Sequence, residues 1–488
     1  MNKTSLFQRM AVSSAVLLAG CSMIPTYERP AAPIATDWPA LSATAAASTT
    51  TGNDVAAADI QWQTFFSDAR LRQLIEASLL NNRDLRVAVL NIEQARAQFQ
   101  IRRADQFPTV GAIATGSRQP GPNEGIASVY TAGLAMTSYE FDFFGRVASL
   151  KDAALSQYLA TEEGRKTVQI TLISTVANTY LALLADEELI GITRQTLATR
   201  EDSFRLSKLR FDNGVSSELD VRQSESLIEA ARVSLAQLTR QRALDQNALV
   251  LLLGQPATGD LAVALPAGKG LADMPVMVDV PAGLPSDLLT RRPDIRQAEQ
   301  LMLASNANIG AARAAFFPRI SLTASAGSAS SHLGDLFQSG SFGWSLAPQL
   351  FLPIFDAGRN RAGLESARVQ RDIAVAQYEK SIQAAFREVA DALAGRATLG
   401  EQLRAQQAQA NAESVRYKLS NLRYQNGIAS QLDLLDAQRS LFAAQQAVVQ
   451  TRLAQLQSQV TLYRVLGGGW TEPADTAQTV NAASLSTP

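Results

Sequence analysis

The 488-residue chain carries 44 Lys and Arg against 45 Asp and Glu, a formal charge of −1 that offers no basic footprint to nucleic acid. Its single cysteine excludes an intramolecular disulfide or cysteine cluster, and its single histidine leaves little for imidazole catalysis or a metal centre. The length permits a large core, and beyond the N-terminus no stretch approaches the ~18 consecutive apolar residues of a membrane-spanning helix. If the mature chain crosses a membrane, it does so as a β-barrel.

The first residues set the compartment. Lys3 and Arg9 form a positive n-region, residues 11–19 a short apolar region, and Leu18-Ala-Gly-Cys21 a small-residue cleavage site ending in cysteine. The pattern resembles a bacterial lipoprotein signal, in which residues 1–20 are removed and Cys21 becomes the lipidated first residue; Ser22 behind it, rather than Asp, points to outer-membrane sorting. An ordinary secretory signal with an incidental cysteine is the alternative. Residues 21–66 follow as a lipidated tether, and Met23 to about Asp59, rich in Ala, Thr and Pro, predicts an extended or loosely ordered segment.

The body is dominated by long helical patterns: Asp68 to Gln106, Arg146 to Asp212 and Ser217 to Leu253, then Ser286 to Phe316, Arg359 to Gln425 and Ser430 to Leu466. At ~1.5 Å per residue the longest would reach about 100 Å, and helices far beyond ~25 residues imply a coiled coil or a helical array. Their apolar positions are mostly alanine with scattered Leu, Ile and Val, and Gln and Ser are frequent. Such helices suit a close-packed cylinder with a wet side; an elongated coiled-coil scaffold is the alternative.

Between the first two helical patterns of each half, Val, Ile, Thr, Tyr, Gly and Ser take over at Phe107 to Arg118 and Val129 to Asp142, and again at Phe317 to Ser328 and Phe342 to Leu352. These predict β-hairpins over 107–142 and 317–353. Ile320, Leu322 and Ala324 alternate with Ser321, Thr323 and Ser325, as a strand with two different faces requires. The strand lengths approach the ~9 to 11 residues of a tilted membrane strand, and Tyr139, Phe141, Phe143, Phe144, Trp344, Phe351 and Phe355 near the ends suit an interfacial girdle. Four strands cannot close a membrane barrel, which needs about 8, and open edges in lipid leave backbone groups unsatisfied. Strands must therefore be pooled between subunits, and a conducting pore favours at least three copies. A soluble α+β protein with two hairpins is the competing reading.

The chain is also duplicated. Phe107-Pro108 returns as Phe317-Pro318, Arg210-Phe-Asp-Asn-Gly214 as Arg423-Tyr-Gln-Asn-Gly427, and Ser217 with Asp220 as Ser430 with Asp433. A period of roughly 210 residues is far beyond the roughly 20 to 50 of solenoid repeats, so a half-protein has been copied. Residues 67–254 form the first repeat, with a tip near 210–217; 285–470 form the second, with a tip near 423–430; 255–284 link them and 471–488 are a tail. Each Asn-Gly tip reads as a tight helix reversal, and each Ser-x-x-Asp as a capping-box start of the return helix. Capping and the helix dipole account for Asp220 and Asp433. They do not account for Asp436, whose first-repeat counterpart is Gln223.

The lipobox, the Phe-Pro lead-in to each hairpin, the long post-hairpin helices, the paired Asn-Gly tips and Leu432-Asp-Leu-Leu-Asp-Ala-Gln-Arg-Ser440 together resemble the TolC-type outer-membrane efflux family, in particular the OprM-like lipoprotein channels of resistance-nodulation-division multidrug pumps. The resemblance runs from about Asp59 to Trp470. It implies an α+β fold in which a long antiparallel α-helical barrel, belted around its middle by 255–284, joins four β-strands per chain that complete a twelve-stranded trimeric membrane β-barrel. It implies a homotrimer in outer-membrane lipid, partnered by a periplasmic adaptor and an inner-membrane pump, passively conducting drugs outward. By the same resemblance Leu432, Asp433 and Asp436 are gate residues. A three-fold axis would make rings of the two aspartates, whose crowding predicts raised pKa values, cation selectivity and a pH-sensitive gate. Tyr424 is expected to bond Asp220 as a latch, although the arginine that assists in some relatives is replaced by Ala429. The adaptor would dock on Arg210, Gly214, Val215, Arg423, Gly427 and Ile428.

An enzyme has little support. His332 has no local triad or metal partners, and Ala267-Gly-Lys-Gly270 lacks the Ser or Thr and the leading glycine of a phosphate loop. No catalytic residue, metal ligand or cofactor is expected, and the drive must come from the partner pump. The same architecture serving metal-cation efflux or type I protein secretion is the remaining alternative.

Overall fold

The computed structural model describes residues 22–35, 37–39, 57–120, 126–256, 258, 270–275, 277–281, 285 and 288–470. The expected signal peptide, Cys21, most of the 255–284 linker and the tail 471–488 lie outside them. Two compact units cut across the sequence repeats: one comprises 1–32, 90–163 and 297–380, the other 33–89, 164–296 and 381–488.

In chain order the elements are α1 (Trp62–Phe65), α2 (Ala69–Asn81), α3 (Arg83–Ala104), β1 (Val110–Pro120), β2 (Ile126–Phe141), α4 (Arg146–Asp212), α5 (Glu218–Leu253), α6 (Leu288–Arg291), α7 (Pro293–Ala314), β3 (Arg319–Ser330), β4 (Phe342–Phe351), α8 (Arg359–Gln425) and α9 (Gln431–Val465). The duplication is visible in the lengths: α4 and α8 each run 67 residues, α5 36 and α9 35.

The first unit holds the sheet. Its strands pair antiparallel in the order β1-β2-β3-β4, so the hairpin of each repeat is joined to the other through β2 and β3. Gly133 and Gly327 are register partners there, and each is required: a Cβ on Gly133 would lie 2.4 Å from the Ala326 carbonyl, and one on Gly327 2.4 Å from that of Ala132. The register slips between Met136 and Tyr139, where Ser138 adopts φ 50°, a bulge that bends β2. At the strand ends Glu140, almost buried, receives Arg146 at 2.6 Å and Arg319 at 2.6 Å. The edge strands β1 and β4 are exposed along their whole length.

Of the extended or loosely ordered tether expected, the first described stretch is held in place. Residues 22–32 are extended but pinned along α7. The Tyr27 hydroxyl and the Arg29 guanidinium both donate to Glu299 at 2.8 Å, Asn306 donates to the Pro25 carbonyl, and Arg313 to that of Met23. Composition hid this because every partner lies some 270 to 290 residues away.

The second unit contains α1, α2, α5, α6 and α9 with the adjoining lengths of the long helices. Residues 57–66, assigned to the tether, are instead packed: Trp62, Phe65 and Phe66 are buried, and Phe65 stacks on Tyr463 with centroids 4.0 Å apart. The helix expected over Asp68 to Gln106 breaks at Asn82. Its side chain caps Leu85 N and donates to the Leu252 carbonyl, which also receives Ser78. The helix α5 ends there at Gly254, φ 69°, where a Cβ would strike the Asn81 carbonyl at 2.2 Å. The pattern from Ser286 to Phe316 likewise breaks at Arg292, because Pro293 disfavours a helical residue before it and starts α7 at its first position. The buried Arg292 guanidinium is satisfied by Asp294, Glu388 and the Val465 carbonyl.

Uninterrupted apolar runs predicted no span-length helix, yet α4 contains an 18-residue stretch long and apolar enough by composition to cross a membrane. Of that stretch 67% is buried inside the protein, which makes it core.

Candidate functional site

The two helix reversals lie in the second unit and are built alike. At the first, Gly214 takes φ 72°, Val215 N donates to the Arg210 carbonyl at 2.9 Å and Gly214 N to that of Phe211 at 2.8 Å. At the second, Gly427 takes φ 72°, Ile428 N donates to Arg423 at 2.9 Å and Gly427 N to Tyr424 at 3.1 Å. Each is a glycine-terminated Schellman cap, in which bonds spanning six and four residues close the helix end. The residues after the glycines, Val215 and Ile428, are 76% and 68% exposed, leaving an apolar side chain on each tip. Leu432 is 56% exposed one turn further on.

The return helices start with capping boxes. Ser217 Oγ accepts from Asp220 N, while the Asp220 carboxylate accepts from Ser217 N, Ser217 Oγ and Ser216 Oγ. Partial burial works against ionisation of Asp220, but these Ser217 and Ser216 bonds outweigh it and hold the group below the usual carboxylate range. Asp433 is held low in the same way by the Ser430 hydroxyl and amide, helped by Arg423 and Arg416. The expected rise in the pKa of Asp433 is therefore not found within one chain, because a cap rather than a crowded carboxylate is its immediate environment.

The contact expected between Tyr424 and Asp220 takes a different form within one chain. There Tyr424 does not bond the Asp220 carboxylate, whose Oδ2 receives all three bonds of its cap. The Tyr424 hydroxyl donates to Gln431 Oε1 at 3.3 Å, and Gln431 Nε2 donates to the Asp220 backbone carbonyl at 2.9 Å and to Ser224 Oγ at 2.7 Å. The Arg210 guanidinium lies 4.5 Å from the centre of the Tyr424 ring, a cation–π contact that joins the first tip to the second. Asp436, the carboxylate that the first repeat lacks, is paired with cations within the chain. Arg416 of α8 meets it at 2.5 Å and Arg439, one turn along α9, at 3.6 Å.

Gln431, Ser224, Arg416 and Arg439 were not singled out in the sequence. Comparing the repeats position by position would have found two of them: the first repeat has Gln223, Ser203 and Ser226 where the second has Asp436, Arg416 and Arg439, so the added carboxylate arrived with its own cations. Among the described residues no group of His, Cys, Asp and Glu is arranged to hold a metal ion.

Residues 74–255 and 284–468 match the family model described as outer membrane efflux protein. The toluene efflux pump outer membrane protein TtgC and the antibiotic efflux pump outer membrane protein ArpC, both of Pseudomonas putida, are each 50% identical over 482 residues, covering 97% of this chain and 98% of those proteins. The open-state MtrE outer membrane channel of Neisseria gonorrhoeae superposes with a TM-score of 0.83 at 39% identity, over 92% of this chain and 99% of that one. Two matched segments that reproduce the internal duplication, and similarity over nearly the full length of each relative, establish that the chain belongs to the outer membrane efflux protein family.

Proposed function

We propose that the protein is the outer-membrane exit channel of a tripartite efflux pump, passively passing solvents, antibiotics and other small toxic compounds to the exterior. The observation that carries this reading is the four-stranded sheet with two open edges, β1 and β4, exposed on both faces. Such edges are tolerated in lipid only when paired, so copies must join edge to edge, and three copies supply twelve strands around a water-filled interior. The named cargo of the toluene and antibiotic efflux relatives supports the substrate class. The run after Cys21, pinned along α7, would lead a lipid anchor towards the helix that feeds β3. The exposed Val215 and Ile428 tips suit a periplasmic adaptor, and Leu432, Asp433 and Asp436 a gate beside them. An inner-membrane pump of the resistance-nodulation-division type would supply the drive, since no energy-coupling motif is present in this chain.

A deletion strain retaining the partner pump should become hypersensitive to toluene and to structurally unrelated antibiotics, and recover with the wild-type gene but not with a Val215→Asp, Ile428→Asp variant that still reaches the outer membrane. Unchanged susceptibility in the deletion strain would overturn the efflux assignment. Full recovery with the double variant would overturn the docking role of the tips.

A further inference from the structure

The sheet of the first unit has two unlike faces, and its register says which residues belong to each. Partners opposite one another across an antiparallel pair share a face, and successive residues along a strand alternate between faces. One face carries Leu134, Met136, Leu322, Trp344, Leu346 and Leu350; the other carries Thr115, Thr131, Ser321, Thr323, Ser325 and Ser345. In a water-filled membrane barrel the apolar set meets lipid and the polar set lines the interior. Among the described strand residues the interior face holds two charges, Glu140 of β2 and Arg319 of β3, both at the end of the sheet where the helices join. From there towards the hairpin turns that face is neutral.

The two charges do not cancel. Glu140, 10% exposed, accepts from Arg146 through both carboxylate oxygens, at 2.8 Å and 2.6 Å, and lies 2.6 Å from Arg319 Nε. One carboxylate thus serves two guanidiniums and leaves a positive charge over. The nearby Asp142 and Asp356 are spent on backbone amides, capping α4 at Ala148 N and α8 at Gly358 N and Asn360 N. Arg359, itself exposed, lines the same cleft as Arg319. The surplus at this end is positive, and the 54% exposed Arg319 side chain presents it to the interior.

We propose that Arg319 is a charge-selecting residue of the exit section, forming in the trimer a ring of guanidiniums at the inner end of the barrel that attracts anionic solutes and opposes cations. The proposal rests on the trimeric channel reading and is independent of the tip gate. A channel built in this way favours cations at the aspartates of its entrance and anions at the base of its barrel, so that neither charge class is held along the whole path.

Reversal potentials in planar bilayers under a KCl gradient test it, read both in the otherwise native chain and in an Asp433→Ala, Asp436→Ala background. Arg319→Gln should raise the permeability ratio of K⁺ to Cl⁻ about twofold and Arg319→Glu further, with Arg319→Lys closer to wild type than either. The differences should shrink as salt rises from about 0.1 M to about 1 M, because the screening length falls from about 10 Å to about 3 Å. Ser321→Lys added to Arg319→Gln returns a cation to the same face, opposite Glu140, and should bring the ratio back towards wild type. Arg359→Gln should shift the ratio in the same direction by less, and decides the matter if the Arg319 variants fail to assemble. Equal ratios in wild type, Arg319→Gln and Arg319→Glu overturn the ring, as does a shift that neither salt nor Ser321→Lys reduces. Wild type and variants that all fail to conduct overturn the channel reading and the ring with it. A double-alanine background that behaves as wild type removes the tip gate alone, and the Arg319 comparison then decides in the native chain.

Discussion

Gln431 Nε2 stands 2.7 Å from Ser224 Oγ and 2.9 Å from the Asp220 carbonyl, so one buried side chain of α9 ties the second reversal to the start of α5 in the first repeat. The amide oxygen of the same side chain accepts from Tyr424. Gln431→Ala should therefore cost about 1–3 kcal/mol locally, the typical penalty for leaving buried polar groups unpaired. Tyr424→Phe removes only one long bond and should cost less. Planar-bilayer recordings should show greater leak in Gln431→Ala than in Tyr424→Phe, and greater leak in both than in wild type. The reverse order would return the latch to the tyrosine.

The paired carboxylates make a separate prediction. Replacing Asp433 and Asp436 together with alanine should raise conductance and reduce cation selectivity, because the change removes two charges per chain and frees Arg416 from Asp436. Unchanged conductance and selectivity would remove these residues from the gate. Since Asp433 is held below the usual carboxylate range, its charge persists on acidification, and its share of the selectivity should survive from about pH 7.5 to about pH 5.

A different carboxylate should respond to pH. Burial, followed by the neighbouring Asp245, pushes Asp186 up to about 7, with Glu187 adding to the shift and Arg242 opposing it. The folded-state value lies above the unfolded one, so the unfolded chain gives up this proton first. Stability from this group is present below the ordinary carboxylate range and is lost as pH rises towards about 7. Asp186→Asn mimics the protonated form, and its melting temperature should gain on wild type as pH rises from about 4.5 to about 8. A constant difference across that interval would show that the group is not protonated in the fold.

The two repeats meet in the sheet through glycine. Gly133→Val places a branched side chain where even a Cβ would lie 2.4 Å from a backbone oxygen of β3, so β2 and β3 should fail to pair. Membrane fractions should then contain little heat-resistant oligomer, whereas Gly111→Ala, with open space around its Cβ position, should leave the yield unchanged. A normal yield from Gly133→Val would contradict the register.

Much of this protein is written in local chemistry. The 67-residue helices α4 and α8 match their sequence patterns, and the reversals end where Gly214, Gly427 and the Ser-x-x-Asp boxes say they should. Caps and left-handed glycines act within a few residues, so a linear reading sees them whole. The strands were legible because the alternation of apolar and polar residues has a period of two whatever the partner.

What only the tertiary structure decided involves partners far away along the chain. Asn82 interrupts a good helical pattern because the Leu252 carbonyl is there to receive its amide, and the tether is fixed because Glu299 accepts both Tyr27 and Arg29. Asp436 is surplus to the first repeat, and folding back of α8 sets Arg416 against it; within one chain Gln431 stands between Tyr424 and Asp220. In each case the sequence determined which polar group needed satisfying, and folding chose the partner, because a hydrogen bond depends on separation in space and not on separation in sequence.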